Sequence, residues 1–421
     1  MENIRHTILL ILISILFLAG CSTLIAQAPE LPDPTGTSVP PPTTPETPPT
    51  PNITPTQAHS PDPTAESPQP PASAPDAIWV AFIGRDENVR LVDRNSGQLR
   101  DVTVDANPPG RAAGGEPTIH YWTPKWSSDG QLLAYHRNVG QPITEGYNYT
   151  FEVWVYEVAS GEARQLLSDE RVVNYAWRPG THQLALSFGI EDGYFTIVGQ
   201  LDSTKARGIW AIDVDSGESV ELVQPENGYS LGRPQWSRDG RYLFFDEVWN
   251  YEGTGYFTIY DFDNGSYASS QQSIGFYDLS PDGQTLAYDT LTYGPSGEEK
   301  IYLRTIAGGV PQQFSPEYDI GYAFYPLFSP DGDLLAYLAE IDVLDSGQYT
   351  LSIQALQEGE ARLLGVFEFG FYLNWLEDGS GLILSGGPFE ARQVFEVSLA
   401  DGDIRVLAEG DMPALQPLAS P

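Results

Sequence analysis

The sequence predicts an all-β fold assembled from seven copies of one four-stranded antiparallel unit. Three observations predict it. A ten-residue phrase recurs at intervals of 43 to 59 residues. A second turn signal recurs at a similar period. The C-terminal tail repeats the entry into a first strand, so the two chain ends complete one unit together.

The phrase is clearest in FSPDGDLLAY (Phe328–Tyr337), LSPDGQTLAY (Leu279–Tyr288) and WSRDGRYLFF (Trp236–Phe245). Its six copies centre on Trp126-Ser-Ser-Asp129-Gly130, Trp177-Arg-Pro179-Gly180, Trp236-Ser-Arg-Asp239-Gly240, Leu279-Ser-Pro281-Asp282-Gly283, Phe328-Ser-Pro330-Asp331-Gly332 and Trp375-Leu-Glu-Asp378-Gly379. A short apolar run follows each one. Proline presets φ, aspartate bonds nearby backbone N–H groups and glycine takes positive φ, so each copy reads as a tight β-hairpin.

The second signal is a glycine between a Val/Ile/Tyr/Trp-rich strand and a short one: Gly97, Gly161, Gly217, Gly265, Gly308 or Gly309, Gly359 and Gly402. This count gives seven units. The extra one begins at its second strand, IWVAFIG, and lacks a first. Met412–Pro417 (MPALQP) matches the Pro-x-apolar entry at Arg233–Arg238 (RPQWSR), so a strand near Ala414–Leu418 is expected to complete Ile78–Val104. Four short strands per repeat of about 49 residues read as a β-propeller blade. Closing the ring buries both faces of every sheet; an open β-solenoid has shorter repeats and no hairpin at each step.

The aromatic-Ser-Pro-Asp-Gly-x-x-Leu-Ala-Tyr repeats resemble the WD40-like PD40 repeats of the TolB β-propeller family. They also resemble those in the propeller domains of prolyl oligopeptidase and dipeptidyl peptidase IV relatives. The resemblance covers nearly all of 78–421. It implies the fold rather than an activity, because the motif residues are structural.

The N-terminus suggests where the protein works. Ile8–Leu18 is an apolar run too short to span a membrane comfortably, and LAGCS (Leu18–Ser22) follows it. This resembles the bacterial lipobox. The resemblance implies a signal peptide over 1–20, acylation of Cys21, the only cysteine, and anchoring to the cell membrane, the outer one if there are two. Residues 21–76 are rich in Pro and Thr and poor in large apolar side chains, and are expected to form a disordered linker. Roughly fifty such residues in polyproline II would reach about 150 Å. The propeller is expected over 77–421. A formal net charge of −36 repels phosphate backbones and argues against nucleic acid as a partner.

Motifs that carry chemistry are weak. Gly228-Tyr-Ser230-Leu-Gly232 matches a nucleophile elbow but lacks the strand–turn–helix context and a later histidine. Asp213-Val-Asp215 and Asp261-Phe-Asp263 start like calcium loops but coincide with the recurring turn. His120, His136 and His182 have no ligand spacing. The expectation is therefore a monomeric, non-enzymatic chain with no catalytic residue, metal or cofactor.

Loop lengths point to a contact surface. The Asp-Gly and Ser-Gly turns are short. The long segments (138–149, 191–207, 249–256 and 292–299 within units; 107–122, 225–233 and 317–325 between units) all fall on one face of the ring. Their exposed aromatics make a contact surface. The residues expected to bind are His120, Trp122, Tyr149, Tyr194, Tyr229, Trp249, Tyr251, Tyr293 and Tyr322. The partner expected there is a protein or peptide of the cell envelope, with cell-wall glycan as a further candidate. The alternatives are a propeller enzyme acting on glycans or peptides, a lyase or hydrolase, and a propeller binding a small ligand or metal.

Overall fold

The computed structural model describes residues 77–418 apart from 110, 113–114, 145, 169–171, 189–207, 226–229, 249–254, 270–273, 291–299, 307, 317–321, 341–346, 358 and 369–370. Cys21 and the linker lie outside the described residues. The repeated hairpins form as expected, and the reason is local. In the Trp126 copy the Leu132 N–H donates to Ser127 Oγ (3.0 Å). Ser127 Oγ–H donates to Asp129 Oδ1 (2.6 Å) and the Gln131 N–H donates to the same oxygen (3.1 Å). Gly130 closes the turn at φ +68°, where a side chain would be strained. Ser237/Asp239, Ser280/Asp282 and Ser329/Asp331 repeat the arrangement.

These turns join strands into an all-β propeller of four-stranded antiparallel blades. Five sheets stand alone: β4 (Thr118–Trp126), β5 (Leu132–Ile143), β6 (Gly146–Glu157) and β7 (Glu162–Ser168); β8 (Val172–Trp177), β9 (Gln183–Phe188), β10 (Ile209–Asp213) and β11 (Ser219–Val223); β12 (Ser230–Trp236), β13 (Tyr242–Val248), β14 (Gly255–Asp261) and β15 (Ser266–Ser269); β16 (Tyr277–Leu279), β17 (Thr285–Asp289), β18 (Ile301–Thr305) and β19 (Gln312–Gln313); β20 (Tyr322–Phe328), β21 (Leu334–Glu340), β22 (Gln348–Ala355) and β23 (Arg362–Glu368). The other strands form one seven-stranded sheet. Its order is β24 (Phe371–Trp375), β25 (Gly381–Gly386), β26 (Gln393–Ser398), β27 (Ile404–Leu415), β1 (Trp79–Gly84), β2 (Val89–Asp93) and β3 (Leu99–Asp101). Seven separate sheets are therefore not what the hydrogen bonding delimits. The reason is β27, which pairs with β26 through Ile404–Glu409 and continues without a break to pair with β1 through Gly410–Leu415.

The tail thus meets the first strand, slightly earlier in sequence than expected. Beyond Leu415, Gln416 continues the junction: its N–H donates to Trp79 O (2.9 Å) and its Oε1 accepts from Trp79 N–H (3.0 Å). Strands β4, β12, β20, β24 and β27 share a two-residue bulge whose first residue is left-handed: Thr123, Arg233, Tyr325, Tyr372 and Met412, all with φ between 46° and 59°. Such a conformation costs a non-glycine residue about 1–3 kcal/mol and persists only where surrounding structure enforces it.

One enforcing contact is the repeated tryptophan. The indole N–H of Trp126 donates to Ala414 O (2.9 Å), that of Trp177 to Lys125 O (2.9 Å) and that of Trp375 to Leu327 O (3.0 Å). Each reaches the residue just before the equivalent position of the preceding unit. At these three positions the repeated aromatic is an inter-blade clamp as well as a core residue, whereas Trp236 Nε1 has no such partner. Apolar clusters lie between neighbouring sheets, such as Trp79, Ala81 and Leu91 with Tyr121, Leu133 and Tyr135, and between the two halves of the seven-stranded sheet, where Val80 and Phe82 meet Leu376 and Ile383. Burial on both faces explains why the central strands read as continuous apolar runs.

Candidate binding face and channel wall

Of the nine residues expected to bind, Tyr194, Tyr229, Trp249, Tyr251 and Tyr293 lie outside the described residues. Tyr322 opens β20 opposite Glu340 and packs beside the Phe324 and Phe371 core. His120, Trp122 and Tyr149 come together. His120 and Trp122 alternate along β4 with ring centroids 6.3 Å apart, nearly parallel, and Tyr149 of β6 reaches His120 at 6.2 Å. Tyr147 extends the row at 6.1 Å from Tyr149.

Segment 138–149, read from sequence as a long loop, is instead largely the extended end of the β5–β6 hairpin. Its strands pair as far as Ile143↔Gly146. Gly140 makes the aromatic row possible. A Cβ there would lie 2.4 Å from Thr118 Oγ1 and 2.8 Å from Tyr149 Cε1, so the tyrosine ring occupies the space over β5. Glu87, from the neighbouring β1–β2 turn, brings Oε2 within 3.3 Å of His120 Nδ1. Trp122 is 40% exposed, so the row meets solvent.

Polar residues just before the repeated position, Lys125, Asp278 and Asn374, bond to a neighbouring blade. Lys125 donates from Nζ to Tyr175 O (2.8 Å), the Phe328 N–H donates to Asp278 Oδ2 (2.8 Å), and Asn374 Nδ2 donates to Pro413 O (2.9 Å). Lys125 touches solvent although protein surrounds it closely. Burial brings its ammonium down to about 8. Burial raises the Asp278 carboxyl to about 6, against the backbone N–H groups that favour its charge. Arg233 bonds Asp246, whose carboxyl is still raised because burial outweighs the guanidinium. His136 is held neutral: burial, helped by Lys125, takes it down to about 3. Its Nδ1 lies 2.9 Å from Thr123 Oγ1.

The other sequence motifs resolve into structure. Ser230 sits in β12 opposite Val248, not at a strand–helix turn. Asp213 accepts from the Ser216 N–H and Oγ–H (2.8 and 2.9 Å), and Asp261 is bonded to Arg241, so both serve their turns. Among the described residues no group of three or more His, Cys, Asp and Glu side chains could hold a metal ion, and no helix is long and apolar enough to cross a membrane. Lys125 and Asp278 escaped the sequence reading. The repeat gave no signal for them, because the position before the repeated residue is also Ala176 and Leu327 in other copies.

No known family profile matches the chain. Among curated proteins, dipeptidyl-peptidase 5 of Porphyromonas gingivalis is 28% identical over 142 residues, 32% of this chain and 21% of that protein. The chain therefore spans about a fifth of that relative. Among solved structures, a prolyl endopeptidase superposes with a TM-score of 0.55 at 16% identity, covering 80% of this chain and 50% of that one. Neighbours include TolB from Acinetobacter baumannii (TM-score 0.45, 14% identity, 72% and 83% covered). The prolyl endopeptidase shares the fold. The sequence relative corrects the expectation of a non-enzymatic chain, because it is a peptidase. The expectation failed for a physical reason. The repeating residues are engaged in turns and clamps, so a reading built on them carries no information about chemistry placed elsewhere.

Proposed function

We propose that the chain is an extracytoplasmic lipoprotein whose propeller engages substrate for an enzymatic activity on peptides. A signal peptide over 1–20, lipid at Cys21 and a linker to residue 76 carry a propeller over 77–421. Counting each half of β27 with its own partners, the ring has seven blades, the seven-stranded sheet being two joined blades.

The observation that carries the peptide assignment is the stretch related to dipeptidyl-peptidase 5. The Lys125 ammonium supports it. An ammonium has three N–H donors, and Tyr175 O takes one from Lys125. The other two, with no hydrogen-bond acceptor among the described residues beyond the Tyr175 ring face, suit a peptide carbonyl or terminal carboxylate. The aromatic row at His120, Trp122 and Tyr149 supplies side-chain contact at the mouth.

The test is mass-spectrometric detection of products after incubating a peptide library with the full chain isolated from its own membranes. Cleavage is expected, and Lys125→Met is expected to slow it at least tenfold. An intact library, with and without co-purifying proteins, defeats the assignment.

A further inference from the structure

We infer that the outer end of the β4–β5–β6 sheet is a binding site for a neutral sugar ring. Register puts nine residues on one face of this sheet. Thr118, Gly140 and Tyr149 form one row; His120, Asn138 and Phe151 the next; Trp122, His136 and Val153 the third. Three of the side chains are almost wholly buried: Thr118 at 0%, Asn138 at 3% and His136 at 5% exposure. Each keeps a polar atom without a hydrogen-bond partner: Thr118 Oγ1, Asn138 Oδ1 and His136 Nε2. Buried polar atoms are nearly always paired, so three unpaired ones on one patch mark a place where something else completes the bonding.

The chemistry of the patch selects the occupant. None of the three groups is charged, burial keeping His136 neutral. A carboxylate or phosphate has no proton to offer Asn138 Oδ1 and meets Glu87 and a strongly acidic protein. A cation would need a carboxylate, and Glu87 already lies against His120. A hydroxyl both donates and accepts, which suits threonine, asparagine and imidazole together. Asn138 and His136 are two residues apart on one strand, about 7 Å, so they call for an array of hydroxyls rather than one. The surrounding rings of His120, Trp122 and Tyr149 suit the C–H face of a pyranose. In the free protein these atoms are buried. Sugar binding displaces the rim rings, of which Trp122 is the most exposed, and brings hydroxyls onto the polar floor.

This site stands apart from the peptide assignment, and its test reads binding rather than turnover. The full chain is titrated calorimetrically with maltohexaose, cellohexaose, chitohexaose and mannohexaose, and with hexagalacturonate and a neutral hexapeptide as controls. At least one neutral oligosaccharide is expected to bind and the controls are not. Trp122→Ala is expected to weaken that binding at least tenfold. Thr118→Val, which removes the unpaired hydroxyl at nearly constant shape, is expected to weaken it similarly while leaving Tm unchanged or higher. No neutral sugar bound at millimolar concentration, equal or tighter binding of a control, or affinity unchanged by either variant would overturn the inference. So would a Thr118→Val protein that is less stable, because its hydroxyl would then be bonded in the free protein.

Discussion

Asp278 offers the sharpest test of the inter-blade bonding. Its carboxylate is enclosed between blades and accepts the Phe328 N–H at 2.8 Å, yet burial raises its pKa from 3.8 to about 6. The folded protein therefore holds a proton between these values that the unfolded chain releases. Where the native state binds more protons, stability falls as pH rises. The contribution of Asp278 is thus neutral below about pH 4 and becomes a penalty complete above about pH 6. At roughly 1.4 kcal/mol per pH unit the full penalty is about 3 kcal/mol. Asp278→Asn keeps an acceptor for the Phe328 N–H and removes the charge. Urea unfolding of both proteins from pH 3.5 to 8 isolates this one group from the rest of the acidic surface. The variant should match the wild type near pH 3.5 and exceed it by about 3 kcal/mol at pH 7. A difference that is constant with pH, or that grows toward acid, would refute an enclosed carboxyl with a raised pKa.

Three other outcomes follow from the same contacts. Trp126→Phe keeps the ring and loses the N–H to Ala414 O, so a loss of about 1 kcal/mol is expected; hydrogen exchange should quicken first in 410–416, and uniform quickening would count against a local clamp. Gly97 and Gly130 are both left-handed, but a Cβ on Gly97 meets nothing within 4 Å whereas one on Gly130 would lie 2.6 Å from Pro417 O; Gly97→Ala should cost roughly 1–2 kcal/mol and Gly130→Ala clearly more, and equal falls in Tm would mean that the tail does not dock there. His182 bridges Asp215 (2.8 Å) and Asp129 (3.0 Å); burial lowers its pKa, but the two carboxylates prevail and raise it. The stability it adds is complete below its unfolded value near 6.5 and disappears as pH rises through the folded value, so His182→Gln should flatten the stability profile above pH 6.5 and leave it unflattened if the bridge does not form.

The sequence by itself determined the repeat, its hairpins and the direction in which the ring closes. Those features depend on contacts a few residues apart: Ser127 with Asp129 and Leu132, or Gly130 at positive φ. Met412–Pro417 announced its place because it copies the bulge entry of Arg233–Arg238. Tertiary structure decided everything that depends on which blade lies beside which. Trp126 reaches Ala414 across 288 positions. β27 runs unbroken through two sets of partners, and no local pattern says whether such a strand will break. The aromatic row was legible as residue types, but its assembly was not. Gly140 had to leave space for Tyr149, and a turn of the neighbouring sheet had to bring Glu87 to His120. The raised carboxyl at Asp278 and the unpaired atoms of Thr118, His136 and Asn138 arise from burial in the assembled sheets. Burial by distant neighbours sets their proton affinities and leaves their hydrogen bonds open, so the chemistry of this protein rests on the step that the repeats could not encode.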